Sequence, residues 1–355
     1  MKKVGIITIQ SIVNYGNRLQ NYAVQTLVQE RGFECESIRL SDEKLWFKIY
    51  FKAFFLGRFL GKKSAITSKR TRKIIAFNKK YMNIKVLHKS NVKKYVEGNY
   101  DYLILGGDQL WASGNSDYGI PGYRFGNLID KSKRIPFGVS FGGKVSEEYK
   151  GKISGYLNEL EYLQIREQSG VEIIKEITGK DAELLLDPVF GLDVSDWDKL
   201  AISNIYIGHD YALTFFLGGS DAERNKNICD IAKECVIKNM NDVGDSSFTS
   251  GPEEFISYIK NAKIVFTDSF HCAAFAIIYN KPFVVFNRLN WDPSQMTRLH
   301  NLFDVLKTGD RLYREGDIDW FDIDYTVCND ILKKERERIG LYLDRCLKNV
   351  TYNEG

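Results

Sequence analysis

Histidine is scarce, cysteine is unpaired and no apolar run is long, and each scarcity removes a class of function. The six cysteines (35, 229, 235, 272, 328 and 346) show no CxxC and no ligand-like spacing. With no secretory signal beside them, they read as reduced cytosolic thiols rather than a disulfide framework or a zinc site. The N-terminal "MKKVGIITIQ" carries two lysines, but its apolar run stops too early for a signal peptide and reads as a first buried strand. No stretch approaches the ~18 to 20 apolar residues of a membrane span. A net charge of +4 over 355 residues gives no basic stripe of the kind nucleic acid demands. No GxGxxG follows the first strand, so the nicotinamide-dinucleotide fingerprint is missing as well. What remains is a cytoplasmic globular protein, long enough for two domains.

One stretch departs from that plain picture. "LWFKIYFKAFFLGRFLGKK" (45–63) is strongly aromatic, and Lys48, Lys52 and Arg58 interrupt it. Lys62, Lys63, Lys69, Arg70, Arg72 and Lys73 follow closely. Two readings stand open: a helical excursion (43–82) packed on its own domain, or a basic amphipathic helix over 45–73 resting on an anionic membrane surface.

Elsewhere strand-like runs alternate with helical periods, the pattern of an α/β fold with parallel sheets. "VGIITI" (4–9), a helix face of Leu19, Tyr22, Ala23 and Leu27, and "CESIRL" (35–40) make a βαβ unit. "YDYLILGGDQLW" (100–111) and "RIPFGVSFGG" (134–143) are each a buried strand opening into a glycine turn. "YLQIRE" (162–167) follows a helix over 147–160, and "AELLLDPVF" (182–190) closes the first half. The polar stretch 191–210 marks the domain boundary, which predicts a domain over 1–195, a second over 205–325 and a C-terminal helix over 326–355. The expectation is two Rossmann-like domains facing across a cleft.

In such sheets ligands gather beyond the C-terminal strand ends. That rule singles out Asn14 and Tyr15 after the first strand, and Gly107 and Asp108 after "YLIL". It adds Arg166, the segment Asp268 to His271, and Arg288. Polar, cationic and imidazole groups beside helix N-termini suit a small anion. Each has a local alternative at this stage. The glycines permit a tight turn, Asp108, Asp268 and Ser269 are plausible caps, Arg166 and Glu167 make an ion pair, and His271 packs at a helix start.

Taken in order, these pieces resemble the polysaccharide pyruvyl transferase family. The resemblance is carried by "NYGNRLQNYAVQ", "LILGGDQLW", "VSFGG", "IREQSG", "LLLDPVF", "FFLG", "GPEEFISYIKNAKIVFTDSFHCAAFAII", "KPFVVFNR" and "MTRLHNLFDVLKTGDR", and it spans residues 3 to about 312. Two departures stand out: Cys272 follows the histidine where the family commonly has glycine, and 43–95 carries no family signature. The resemblance implies a fold like the GT-B glycosyltransferases, phosphoenolpyruvate as donor, and a sugar hydroxyl pair as acceptor, free or lipid-linked, giving a pyruvate ketal. It implies that Arg166 of "IRE" contacts the donor and that His271 of "SFH" is catalytic, with Ser269 and Phe270 beside the donor phosphate. Asp108, Asn14 and Gln20 match further motif positions, and Arg288, Arg298 and His300 are second-tier cleft candidates. No step of that chemistry requires a metal or cofactor. A nucleotide-sugar glycosyltransferase and a non-catalytic glycan- or anion-binding protein remain as rival readings.

Overall fold

The computed structural model describes residues 1–9, 14–41, 51, 53, 62–202, 205, 208–289 and 296–347. Strands β1 (Lys3–Ile7) and β4 (Tyr102–Leu105) carry Val4, Ile6, Ile7 and Leu103 to Leu105, all fully buried. Strands buried on both faces belong in a parallel sheet covered by helices on each side. They pair with β2 (Glu34–Leu40), β3 (Ile84–Leu87) and β5 (Arg134–Pro136) in the order β3-β2-β1-β4-β5, all parallel. A separate two-stranded sheet joins β6 (Gln164–Ile165) to β7 (Glu183–Leu184). The second domain contains β8 (Tyr211–Phe215), β9 (Val236–Asn239), β10 (Ile264–Thr267) and β11 (Phe283–Val285), parallel in the order β11-β10-β8-β9.

The helices along the chain are α1 (Tyr15–Gln29), α2 (Lys62–Tyr81), α3 (Val92–Asn99), α4 (Glu147–Glu159), α5 (Gln168–Thr178) and α6 (Val194–Asp198). They continue with α7 (Ala222–Ala232), α8 (Pro252–Asn261), α9 (Phe270–Ile278), α10 (Thr297–Leu306) and α11 (Thr326–Cys346). The chain is thus α/β, with two Rossmann-like domains in a GT-B-like arrangement. Strand order reverses between β1 and β4 in one sheet and between β8 and β10 in the other. Those switch points are where a parallel sheet opens a crevice, and here the two crevices face each other.

Below the crevices the domains share one core. Tyr15 packs on Phe255 at 4.9 Å between ring centroids, and Trp197 meets Phe275 edge-on at 4.8 Å. Each such aromatic pair adds about 0.5–1.5 kcal/mol beyond its buried area. Helix α1 lies in this seam, which is why its polar residues Arg18, Gln20, Asn21 and Gln25 are as buried as its apolar face. Helix α11 returns from the second domain to the first. Glu335 accepts from the Leu186 amide at 2.8 Å, and Tyr342 donates to the Pro136 carbonyl.

The basic excursion does not pack on its own domain alone. In α2, Lys73 pairs with Glu254, Lys80 lies 3.4 Å from Glu253, and the Arg70 guanidinium covers the Tyr15 and Phe248 rings at 4.6 and 5.2 Å. On its other side Phe77 reaches Tyr22 in α1, at 6.3 Å. So α2 bridges the domains, with Arg70 and Lys73 packed against protein and Lys80 largely exposed. The aromatic stretch before it, 42–50, 52 and 54–61, lies outside the described residues. No helix among the described residues is long and apolar enough to cross a membrane. Strand β3 and helix α3 have no counterpart in the sequence reading. "IKVL" is a four-residue edge strand whose Lys85 breaks the apolar run.

Candidate active site

Strand β4 delivers the first site residue through Gly106 and Gly107. A Cβ on Gly107 would stand 2.8 Å from Thr8 Oγ1 and 3.3 Å from the Ile9 amide nitrogen, so the turn depends on glycine to cross the end of β1. It brings Asp108 beneath α1, where the Asp108 amide donates to Gln20 Oε1 at 2.6 Å. The carboxylate does not cap a helix. Its Oδ1 accepts from Arg166 Nη2 and, at 2.8 Å, from Arg298 Nη1.

Arg166 follows β6 and is buried, with its other terminal nitrogen donating to Asp187 Oδ2. Its neighbour Glu167 is not its ion-pair partner; it accepts from Ser140 Oγ and the Phe141 amide and holds the "VSFGG" turn. Asp187 is not among the residues that strand ends and motif order single out. It sits in "LLLDPVF", where Asp before Pro reads as a local cap, and its Oδ1 does accept from the Val189 amide at 3.1 Å. Its other oxygen accepts from Arg166 and from Gln20 Nε2, the latter at 3.0 Å, and lies 3.6 Å from His271 Nε2.

His271 comes from the opposite domain, one residue into α9. It is 4% exposed, with Nε2 toward Asp187 and Nδ1 4.0 Å from Asp108 Oδ2. Both ring nitrogens therefore face a carboxylate, which fixes how the imidazole is turned. The backbone of α1 closes the remaining side at Gly16.

Burial pushes the Asp108 carboxyl up, but Arg166, Arg298 and His271 outweigh it and hold the group well below the usual carboxylate range. Asp187 behaves alike: burial raises it, and Arg166 and His271 bring it below its ordinary value. Both stay ionised. Arg166 Nε, Arg298 Nε and His271 Nε2 are buried without a hydrogen-bond partner among the described residues. Unmatched buried donors are rare in folded proteins and call for an explanation. On Arg166 and Arg298, which share the Asp108 carboxylate, such spare donors suit an oxygen-rich anion. The Phe270 ring centroid lies 4.6 Å from the Arg166 guanidinium and 5.9 Å from that of Arg298, within cation–π reach of both.

The other shortlisted residues surround this cluster without joining it. Ser269 is the N-cap of α9, accepting from the Cys272 amide at 3.5 Å. Asp268 accepts from the Leu217 and Gly218 amides at 2.7 and 2.8 Å, and Arg288 donates to the Asp268 carbonyl at 3.0 Å, so they stitch the tips of β8 and β10 together. Asn14 caps α1 by accepting from the Asn17 amide at 3.3 Å. Tyr15 belongs to the interdomain core, its hydroxyl donating to the Ser250 carbonyl at 2.6 Å. His300 is exposed, its ring 6.4 Å from that of Phe303. Cys272 is fully buried, and burial pushes its thiol up to about 12, so it fills space rather than lining the cleft.

Among solved structures, the fold resembles UDP-GlcNAc 2-epimerase from Neisseria meningitidis bound to UDP-GlcNAc (9% identity, TM-score 0.47, covering 97% of this chain and 100% of that one). It also resembles the glycosyltransferase SnogD from Streptomyces nogalater (9% identity, TM-score 0.44, 98% of each chain). MurG from Acinetobacter baumannii is similar at 9% identity and TM-score 0.42, covering 98% of this chain and 95% of that one. No curated protein matches the sequence. The family model described as polysaccharide pyruvyl transferase matches residues 14–290, which takes in Asp108, Arg166, Asp187 and His271. With that match over well more than half of its length, the chain belongs to the polysaccharide pyruvyl transferase family.

Proposed function

We propose that the protein transfers the pyruvyl group of phosphoenolpyruvate to two hydroxyls of one sugar, forming a cyclic ketal and releasing phosphate. The observation that carries this reading is His271, held between two carboxylates where the two crevices meet, beside buried arginine nitrogens that lack partners. His271 protonates the enol carbon C3, and C2 takes on oxocarbenium character. A first hydroxyl attacks C2 and returns its proton to His271. The C2–O bond to phosphate then breaks, and the second hydroxyl closes the ring while its proton leaves with phosphate. One sugar proton ends on C3 and the other on phosphate, so His271 finishes as it began and no redox partner is needed.

Arg166 and Arg298 hold the donor's anionic groups, exchanging part of their pairing with Asp108 and Asp187 for the ligand. The carboxylates keep both guanidiniums in place before the donor arrives, so little reorganisation remains for the reaction itself. The reaction would run in the cytoplasm, where the six unpaired cysteines would stay reduced.

The test is phosphate release from phosphoenolpyruvate with a panel of sugar acceptors. His271→Ala should cost about 10²–10⁴-fold, the range for a general acid–base group. Arg166→Ala should cost about 10²–10³-fold, the range for an electrostatic donor. Normal turnover in both variants sinks the assignment. Thermal stabilisation by UDP- or GDP-sugars but not by phosphoenolpyruvate would favour a nucleotide-sugar glycosyltransferase.

A further inference from the structure

Behind the Arg166–Asp187 pair lies a cavity of about 260 Å³, bounded by the first domain, by α10 and by α11. It falls below the roughly 300 Å³ at which pockets for drug-sized ligands begin, so it suits a single ring. Its lining is divided. Leu184, Leu186, Leu302 and Phe270 supply apolar surface, while Gln168 and Asp304, both exposed, and half-buried Asn301 supply polar groups at its mouth. These three side chains make no hydrogen bond or ion pair with any described residue.

Three arginines and three carboxylates line the cavity, and Arg166 and Arg298 belong to its donor side. Away from them Arg338 is paired with Glu335 and Asp304 has no ion-pair partner among the described residues, so that end holds no free cation for an anionic donor, whereas a neutral polyol can meet amides and carboxylates beside the leucines. The wall is also firmly built. Glu335 holds the Leu186 amide and pairs with Arg338 at 2.7 Å, and Arg338 donates to the Leu184 carbonyl at 2.8 Å.

We propose that this cavity is the acceptor subsite: one neutral pyranose ring sits against Leu186, Leu302 and Phe270, and Gln168, Asn301 and Asp304 read its hydroxyls. The inference rests on the pyruvyl-transfer reading for its chemistry, because Asp187 forms both the cavity wall and the contact to His271. A hydroxyl pair presented across Asp187 reaches the reacting centre, while the anionic donor occupies the arginine and α9 side. It also gives the C-terminal helix a role, since α11 closes the sugar site rather than merely covering the first domain.

The experiment uses the whole chain, and its probes are the methyl glycosides of galactose, mannose, N-acetylglucosamine and N-acetylmannosamine. Binding is followed by saturation-transfer NMR without donor. Asn301→Ala combined with Asp304→Ala removes two polar groups from α10 and leaves its apolar side intact. At least one glycoside should bind the unaltered protein and lose about tenfold in affinity to the double variant, the loss expected when two hydrogen bonds to a neutral ligand go. The double variant should keep its melting temperature and its thermal shift with phosphoenolpyruvate. The proposal is overturned if no glycoside binds, if binding survives the double substitution, or if the phosphoenolpyruvate shift is lost instead. Failure of pyruvyl transfer shows separately, as glycoside binding with no phosphate release from phosphoenolpyruvate.

Discussion

Gly16 lies directly against His271: a Cβ built on Gly16 would stand 2.8 Å from the His271 Cβ and closer still to its Nδ1. The first turn of α1, from one domain, thus backs onto the imidazole of the other. The contact explains why glycine occupies a helical position where alanine is intrinsically better by roughly 0.5–1 kcal/mol. In Gly16→Ala the methyl group must push the ring off its two carboxylates or force the domains apart. Since a displacement near 1 Å can cost about 10²-fold in rate, turnover of phosphoenolpyruvate should fall by that order. Far-ultraviolet circular dichroism should stay native, and unchanged turnover would show that His271 tolerates displacement.

Asp187 has a pH signature. Its folded carboxyl sits below the ordinary value, held there by Arg166 and His271 against burial. A carboxyl depressed on folding contributes stability that is complete above its unfolded value, about 3.9, and is lost as pH falls through the folded value. Asp187→Asn should therefore melt well below the unaltered protein at pH 7, and the gap should narrow below about pH 4. Partial loss of a buried pair places the neutral-pH cost at up to about 3–5 kcal/mol. A gap of equal size at pH 3 and pH 7 would remove the ion pair as its cause.

The two aspartates differ in how legible they were. Asp108 follows a strand and two glycines, so its place at a sheet's C-terminal end could be read from the chain. Asp187 follows a run of three leucines and precedes proline, a context that a local turn fully explains. Its second oxygen finds Arg166, Gln20 and His271 only through tertiary structure. Arg298 joins Asp108 across 190 positions of sequence, again beyond any local signal. Strand ends, helix starts and the motif order carried the rest of the site.

Charge on α2 has partners that no local pattern shows. Those of Lys73 and Lys80 are Glu254 and Glu253 on α8 of the other domain. Lys73→Glu should destabilise the protein by about 1 kcal/mol, the upper range for a partly exposed pair. Adding Glu254→Lys should restore part of that loss. The restoration will be incomplete, because Glu254 Oε2 also accepts from the Gly251 amide at 2.8 Å and caps α8. A double variant whose loss equals the sum of its single changes, or exceeds it, would show that this ion pair does not hold the domains together.

Cys272 stands where the family commonly has glycine, beside the histidine that the proposed chemistry depends on. A low-pKa thiol there would be a second nucleophile in the site, but full burial and a thiol pushed up to about 12 argue against one. Its amide, not its sulfur, is tied to the Ser269 cap. Thiol-modifying reagents on the native protein should therefore label exposed Cys229 and partly exposed Cys235, and spare Cys35, Cys272, Cys328 and Cys346. Cys272→Ala removes only the sulfur from a helical position and keeps the amide, so phosphate release should be unchanged. Cys272→Gly should cost about 0.8–1 kcal/mol relative to alanine through helix propensity alone, again without loss of turnover. Rapid labelling of Cys272, or inactivation by the alanine substitution, would instead place the thiol in contact with substrate.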